Sequence, residues 1–289
     1  MNVSVFHDSG ARDRQDLLAV DNHGSQRLDG WQTFVCPVRE DYRSRKVAEI
    51  AAGVRRLQPD GVSLDFIRYP VFWEKMGPDY PVAEIRSFCF CGHCLKRFRQ
   101  ETGIAVPESL TTVNGKASWI LANHPRCWTD WKCSVITGMV NRIRSEVRKI
   151  RPDVLIDIHA LPLRLGDYGG AVKSVAGQDF TSLAACVDIL SPMCYHTLLG
   201  RESQWVHSVV EEIARLTGRP TWACVQVKGL TADEGFSDAR VSPDDFRRAL
   251  QHALRPPAQG INVLDWPALR DDSQKMGIYC GIAESRRPD

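Results

Sequence analysis

The chain has 289 residues, 43% of them hydrophobic and 25% charged, with a formal net charge of +2. That balance excludes a disordered polymer, and basic residues scattered through helical stretches such as Arg142 to Arg151 give no footing for nucleic acid as a partner. No apolar run reaches the roughly 20 residues of a membrane span, and Met1 to His7 lack the basic start and apolar stretch of a signal peptide, so a cytoplasmic protein with no membrane partner is expected.

Short β-branched runs alternate with longer amphipathic stretches along the chain. Val3 to Phe6 reads as the first strand and Trp31 to Pro37 as a weaker one. Asp41 to Leu57 is predicted as a helix, closed by Pro59-Asp60-Gly61, which launches a strand over Gly61 to Ile67. A helix is expected over Ala83 to Thr102, an irregular insertion over 103–127, and a further helix over Trp128 to Ile150. Strands then follow at Val154 to His159, Val187 to Tyr195, Thr221 to Val227 and Ile261 to Trp266, with helices at Glu202 to Thr217 and Pro243 to Leu254 between them. This is the pattern of βα units around a parallel sheet in one domain over 1–289. An open dinucleotide-binding sheet would carry a Gly-rich turn after its first strand, and His7-Asp8-Ser9-Gly10-Ala11-Arg12 has no such spacing. The expected fold is therefore α/β, a (β/α)8 TIM-type barrel that lacks its first two βα units, because six strands count clearly where such a barrel has eight.

In parallel barrels the reaction centre lies at the carboxyl ends of the strands. Several strands here stay apolar until their last residues and then turn polar, at Asp65 with Arg68 and Tyr69 after it, Asp157 and His159, Tyr195 and His196, Gln226, and Asp265 with Trp266. Asp65, bracketed by Leu64 and Phe66, is the leading catalytic candidate, against a structural pairing with Arg68. Asp157 and Asp265 could equally cap the helices that follow them. Tyr69, Trp73, Tyr195 and Trp266 have rings suited to sugar faces, or to ordinary core packing.

Ten cysteines in a chain this long are too sparse for a disulfide scaffold. Cys89, Cys91 and Cys94 form a C-x-C-x-x-C run that offers three soft ligands. A fourth from Cys36, Cys127, Cys133 or His93 would complete a structural zinc site, the alternative being buried reduced thiols.

The segment Asp60-Gly61-Val62-Ser63-Leu64-Asp65-Phe66-Ile67-Arg68-Tyr69-Pro70 resembles the DGIHLDYIRYP strand of hypothetical glycoside hydrolases related to the α-amylase and α-galactosidase barrels. Further matches follow at Cys89 to Phe98, Ser191 to His196 and Val263 to Trp266. The resemblance implies that Asp65 is the nucleophile of a retaining mechanism on the fourth barrel strand, that Trp31 to Pro37 belongs to a long loop, and that the substrate is an oligo- or polysaccharide. The cysteine spacing resembles the zinc cluster of one group of barrel β-galactosidases. A glycosidase needs a second carboxyl, for which Asp157 and Glu74 are the candidates. Arg68, Tyr69, Trp73, His159, Tyr195, His196, Gln226, Asp265 and Trp266 are the expected substrate contacts, and catalysis requires no cofactor. Two other classes stay open, a metal-dependent hydrolase using His7, His159 and His196 and a catalytically silent carbohydrate-binding barrel.

Overall fold

Side chains alternate across a strand, so a run such as Val62-Ser63-Leu64-Asp65 presents one apolar and one polar face. The computed structural model, which describes residues 1–26, 31–229 and 241–285, uses that alternation in the first of two units into which the chain divides. This unit comprises Met1–Phe72, Pro81–His159 and Leu165–Asp188. Strand β1 (Asn2–Ser4) runs parallel to β2 (Gly61–Asp65), which runs parallel to β3 (Leu155–Ala160). Val3 stands opposite Leu64, Ser63 opposite Asp157 and Leu64 opposite Ile158. Val62, Leu64, Ile156 and Ile158 are fully buried, each worth about 1.5–3 kcal/mol against exposure. Ser63, Asp65, Asp157 and His159 lie on the opposite face.

Between β1 and β2, α1 (Glu40–Leu57) buries Arg43, Val47, Ile50 and Val54, the spacing of a single helical stripe. It packs on α4 (Pro125–Arg148), whose own stripe includes Trp128, Val135, Met139 and Ile143. Arg43 crosses between them, its Nη1 donating to the carbonyl of Pro37 at 2.9 Å and of Val135 at 3.4 Å. The remaining helices of this unit are α2 (Gly92–Thr102), α3 (Val113–Asn123), α5 (Ala171–Ser174) and α6 (Phe180–Ala184).

Three local expectations are corrected here. The helix foreseen from Ala83 starts only at Gly92, because Ser87 to Phe90 run alongside the loop before them, with Asn22 N–H donating to Ser87 O and Phe90 N–H to Val20 O. The stretch 103–127, foreseen as irregular, contains α3, capped by Thr112 Oγ1 accepting from Gly115 N–H at 3.1 Å. Trp31 to Pro37, a weak strand on its own residues and a loop by the resemblance, is not a strand. It makes only isolated antiparallel bridges, Phe34 with His7 and Val35 with Leu18.

The second unit comprises Trp73–Tyr80, Ala160–Arg164 and Ile189–Asp289. Its β4 (Ile189–Pro192) reaches β5 through parallel bridges at Leu190–Thr221 and Met193–Cys224. After α7 (Gln204–Thr217), β5 (Trp222–Gln226) pairs in parallel with β6 (Gly260–Leu264) across α8 (Pro243–Ala253). Two helices not foreseen from the sequence end the chain, α9 (Trp266–Asp271) and α10 (Ser273–Glu284), capped by Asp265 and Asp272. Their apolar residues form no clear stripe, so periodicity gave no signal. The class is α/β with parallel pairing, and the described residues hold six strands, two fewer than a (β/α)8 barrel. Among the described residues no helix is long and apolar enough to cross a membrane.

Gly177 has φ +72°, and a Cβ there would lie 3.1 Å from Ile136 and from Tyr69 and 3.3 Å from the Lys132 carbonyl. Gly177→Ala is expected to cost about 1–3 kcal/mol, combining backbone strain with overpacking. Urea unfolding measures this, and a variant as stable as the parent would show that the segment has room to shift.

Candidate active site and cysteine cluster

Asp65 is the last residue of β2, where a left-handed Phe66 (φ +49°) ends the strand. The Phe66 N–H donates to Asp65 Oδ1 at 2.7 Å, a charge-assisted bond that fixes the carboxylate while leaving it 23% exposed. A bulky residue in this backbone region is uncommon and costs free energy. His159 Nδ1 lies 4.0 Å from Asp65 Oδ2, within ion-pair reach when the imidazole is protonated. Asp157 sits one layer deeper, opposite Ser63, whose hydroxyl donates to its Oδ2. The parallel register thus stacks two polar layers, Ser63 with Asp157 and Asp65 with His159.

Gln178, which the sequence reading missed, holds the upper layer in place. It is fully buried, and its Nε2 donates to the carbonyls of Ile67 at 3.4 Å and His159 at 3.3 Å, tying together the backbone just past β2 and near the end of β3. Nothing local in Ala176-Gly177-Gln178 advertises this role.

Arg68 and Tyr69, expected to contact substrate, are both buried. The Arg68 guanidinium lies 5.0 Å from the Phe34 ring centroid and 5.1 Å from that of Phe66, and Nη1 donates to Val71 O at 2.9 Å. Tyr69 is core packing, with Lys132 Nζ 4.7 Å from its ring and burial pushing its hydroxyl well above the ordinary range. His7, foreseen as a possible metal ligand, instead stacks on Phe66 with centroids 4.7 Å apart, its Nε2 3.1 Å from the Trp31 carbonyl oxygen.

The other expected residues lie in the second unit. Trp73 and Glu74 form a buried 3-10 turn, with the Trp73 ring 5.5 Å from that of Tyr195. Gln226 is buried as the last residue of β5 and His196 is buried in the turn four residues past β4, and neither amide atom of Gln226 has a partner among the described residues. Asp265 is a helix cap, accepting from Ala268 N–H at 2.7 Å, with Lys228 3.6 Å away. Trp266 is 55% exposed.

The cysteines form a second centre in the first unit. Cys89, Cys91 and Cys94 come together at the start of α2, and Cys36, from the segment before α1, is the fourth member. All four sulfurs lie within 4.8 Å of one another, with Cys36 3.4 Å from both Cys91 and Cys94. Disulfide bonding requires about 2.05 Å, and all four are free thiols. Four sulfurs about 2.3 Å from a tetrahedral zinc stand about 3.8 Å apart, so the set fits that ion. Hydrogen bonds from Cys36, Cys89 and Cys94 hold Cys91 far below the ordinary thiol range, whereas burial pushes Cys36 and Cys94 well above it. Around the cluster, Val20 N–H donates to Cys89 Sγ at 3.3 Å and Phe90 stacks on Trp128 with centroids 4.8 Å apart. Among the described residues this is the one group of three or more His, Cys, Asp or Glu side chains with metal-binding geometry.

Burial lowers the pKa of His196. The unfolded chain therefore binds more protons than the folded one near and below the ordinary histidine value of about 6.5, so stability falls as pH drops through that region. His196→Gln should flatten this dependence in urea unfolding between pH 7.5 and 5, and an unchanged slope would place the responsible group elsewhere.

No family model matches the chain, and no curated protein matches its sequence. Solved structures do. The fold is similar to the PgaB (BpsB) glycoside hydrolase domain from Bordetella bronchiseptica, with TM-score 0.69 and 14% identity over 96% of this chain and 73% of that one. It is also similar to the catalytic domain of beta-amylase from Paenibacillus polymyxa, with TM-score 0.61 and 13% identity over 99% and 82% of the two chains. A third likeness is to Gan42B, a GH42 beta-galactosidase from G. stearothermophilus, with TM-score 0.56 and 13% identity, where 91% of this chain spans 40% of the other. At such identities the likeness is one of architecture, and the chain has a glycoside-hydrolase-like fold.

Proposed function

We propose that the chain is a glycoside hydrolase acting on O-glycosidic bonds of an oligo- or polysaccharide, with Asp65 as its nucleophile. The observation that carries this reading is a half-open carboxylate at the carboxyl end of a parallel strand, pinned by the Phe66 N–H and adjoining His159. It stands in a fold similar to glycoside hydrolases. On this reading the strands belong to a (β/α)8 plan in which β2 is the fourth. Asp65 attacks the anomeric carbon as the glycosidic C–O bond breaks and the departing oxygen takes a proton from a second acid; water then cleaves the glycosyl–Asp65 ester and frees the carboxylate, while the Phe66 N–H holds one of its oxygens. Asp157 is the second carboxyl that the same unit supplies. Its place one layer down, bonded to Ser63, suits tuning of the site better than direct protonation of a leaving group.

Asp65→Asn is expected to abolish turnover, a loss of more than a thousandfold on the order expected for a removed nucleophile, while thermal melting stays close to the parent. Assays on 4-nitrophenyl α- and β-glycosides, starch and hyaluronan test this, with Asp157→Asn and Glu74→Gln alongside. Near-normal activity with a lowered melting temperature would make Asp65 structural. The metal-hydrolase alternative is separated from this reading by metal content after dialysis. The silent-barrel alternative is separated from hydrolysis by the same assays.

Cys36, Cys89, Cys91 and Cys94 are proposed to hold one structural zinc that joins the segment before α1 to the start of α2. A four-thiolate shell leaves no open position for catalysis. Elemental analysis should give one zinc per chain. Chelation, or Cys36→Ser, should lower the melting temperature by several degrees before it changes kcat. Protein purified without zinc but equally stable would favour buried thiols.

A further inference from the structure

The exposed indole of Trp31 is the feature that neither the catalytic reading nor the cysteine cluster uses. We infer that Trp31 is a stacking platform for a pyranose ring of the substrate, at a binding position next to Asp65; this rests on the glycosidase reading above.

An aromatic ring binds a sugar when it offers an open apolar face and is held rigidly enough to lose little freedom on binding. Trp31 meets both conditions. It is 41% exposed, among the few large apolar side chains left open to solvent. It touches His7 at 5.2 Å and 72° and Phe66 at 5.7 Å and 87°. Both contacts are perpendicular, and no ring among the described residues lies flat against the indole. Its backbone is fixed as well. The Trp31 carbonyl lies 3.1 Å from His7 Nε2, and the residues after it are tied to the chain leaving β1 by Asp8 N–H to Thr33 O and Val35 N–H to Phe6 O, both 2.9 Å.

The link to the reaction centre is covalent and short. Phe66, one of the two rings that hold Trp31, follows Asp65 directly and donates its N–H to the Asp65 carboxylate. His7 packs on the same Phe66 ring at 4.7 Å, so carboxylate, phenyl, imidazole and indole form one continuous assembly. A sugar on the indole would thus rest on the assembly of side chains that also holds Asp65. A ring that served only core packing would be buried, as Tyr69 is in this unit.

The test uses the full chain and oxidation of tryptophan by N-bromosuccinimide, read by peptide mass spectrometry, with and without soluble starch or hyaluronan. Either polysaccharide should protect Trp31 from oxidation. In parallel, Trp31→Ala should raise KM about tenfold on the best substrate with a much smaller change in kcat, and Trp31→Phe should recover most of the loss. Turnover by the wild type with Trp31 oxidised equally in both conditions would overturn the platform and leave the hydrolase reading standing. Protection of Trp31 without turnover of any glycoside would support the platform and overturn hydrolysis. Neither turnover nor protection would overturn both.

Discussion

Everything at the candidate site depends on the two-sidedness of β2 and β3. Val62, Leu64, Ile156 and Ile158 are fully buried on one face, and the parallel register that buries them puts Ser63 opposite Asp157 on the other. A slip of one residue would turn two carboxylates and an imidazole inward and four aliphatic side chains outward. Desolvating those charges costs several kcal/mol each, so the register that buries the aliphatic face also sets Asp65 and His159 side by side. Stability and chemistry are fixed here by a single choice.

The polar face is then organised by depth. Asp157 lies in the lower layer with Ser63 as donor, and Asp65 lies in the upper layer where the strand ends. The offset gives Asp65 an imidazole as its neighbour in the upper layer and leaves Asp157 with the Ser63 hydroxyl in the lower one. Gln178 holds the top of this arrangement with a buried amide that touches both strand-end segments. Its neighbour Gly177 lets the backbone come close enough for that reach, with Ile136 and Tyr69 directly against the position a side chain would take.

The cysteine cluster supports the same unit from another side. Cys36 precedes α1, and Cys91 caps the start of α2, so a shared ion would join two segments more than fifty residues apart. Next to it, Phe90, Phe98, Trp128 and Trp131 form a chain of ring contacts at 4.8–5.4 Å that seats α2 on α4. Lys132 lies within this core with its ammonium donating to the carbonyls of Ser174 and Val175 at 3.0 and 2.6 Å, and burial pushes its pKa down to about 7. A buried ammonium is tolerated because those two carbonyls and the Tyr69 ring replace part of its hydration.

The sequence by itself determined the parts governed by local periodicity and by residue type. The βα alternation, the stripes of α1 and α4, the placement of Asp65 where an apolar strand turns polar, and three of the four clustered cysteines can all be read along the chain, because each depends on neighbours within a few residues. Tertiary structure alone decided the rest. Cys36 was one of four possible fourth ligands until packing brought it within 3.4 Å of Cys91 and Cys94. Tyr69 and Arg68 look from the sequence like groups facing substrate, yet the left-handed Phe66 ends the strand before them and both side chains turn into the core. Gln178 and Trp31 carry no motif, since what each does is defined by partners elsewhere: Ile67 for one, His7 and Phe66 for the other. Strand period and charge pattern record which face a residue takes, and only the packed chain records what that face meets.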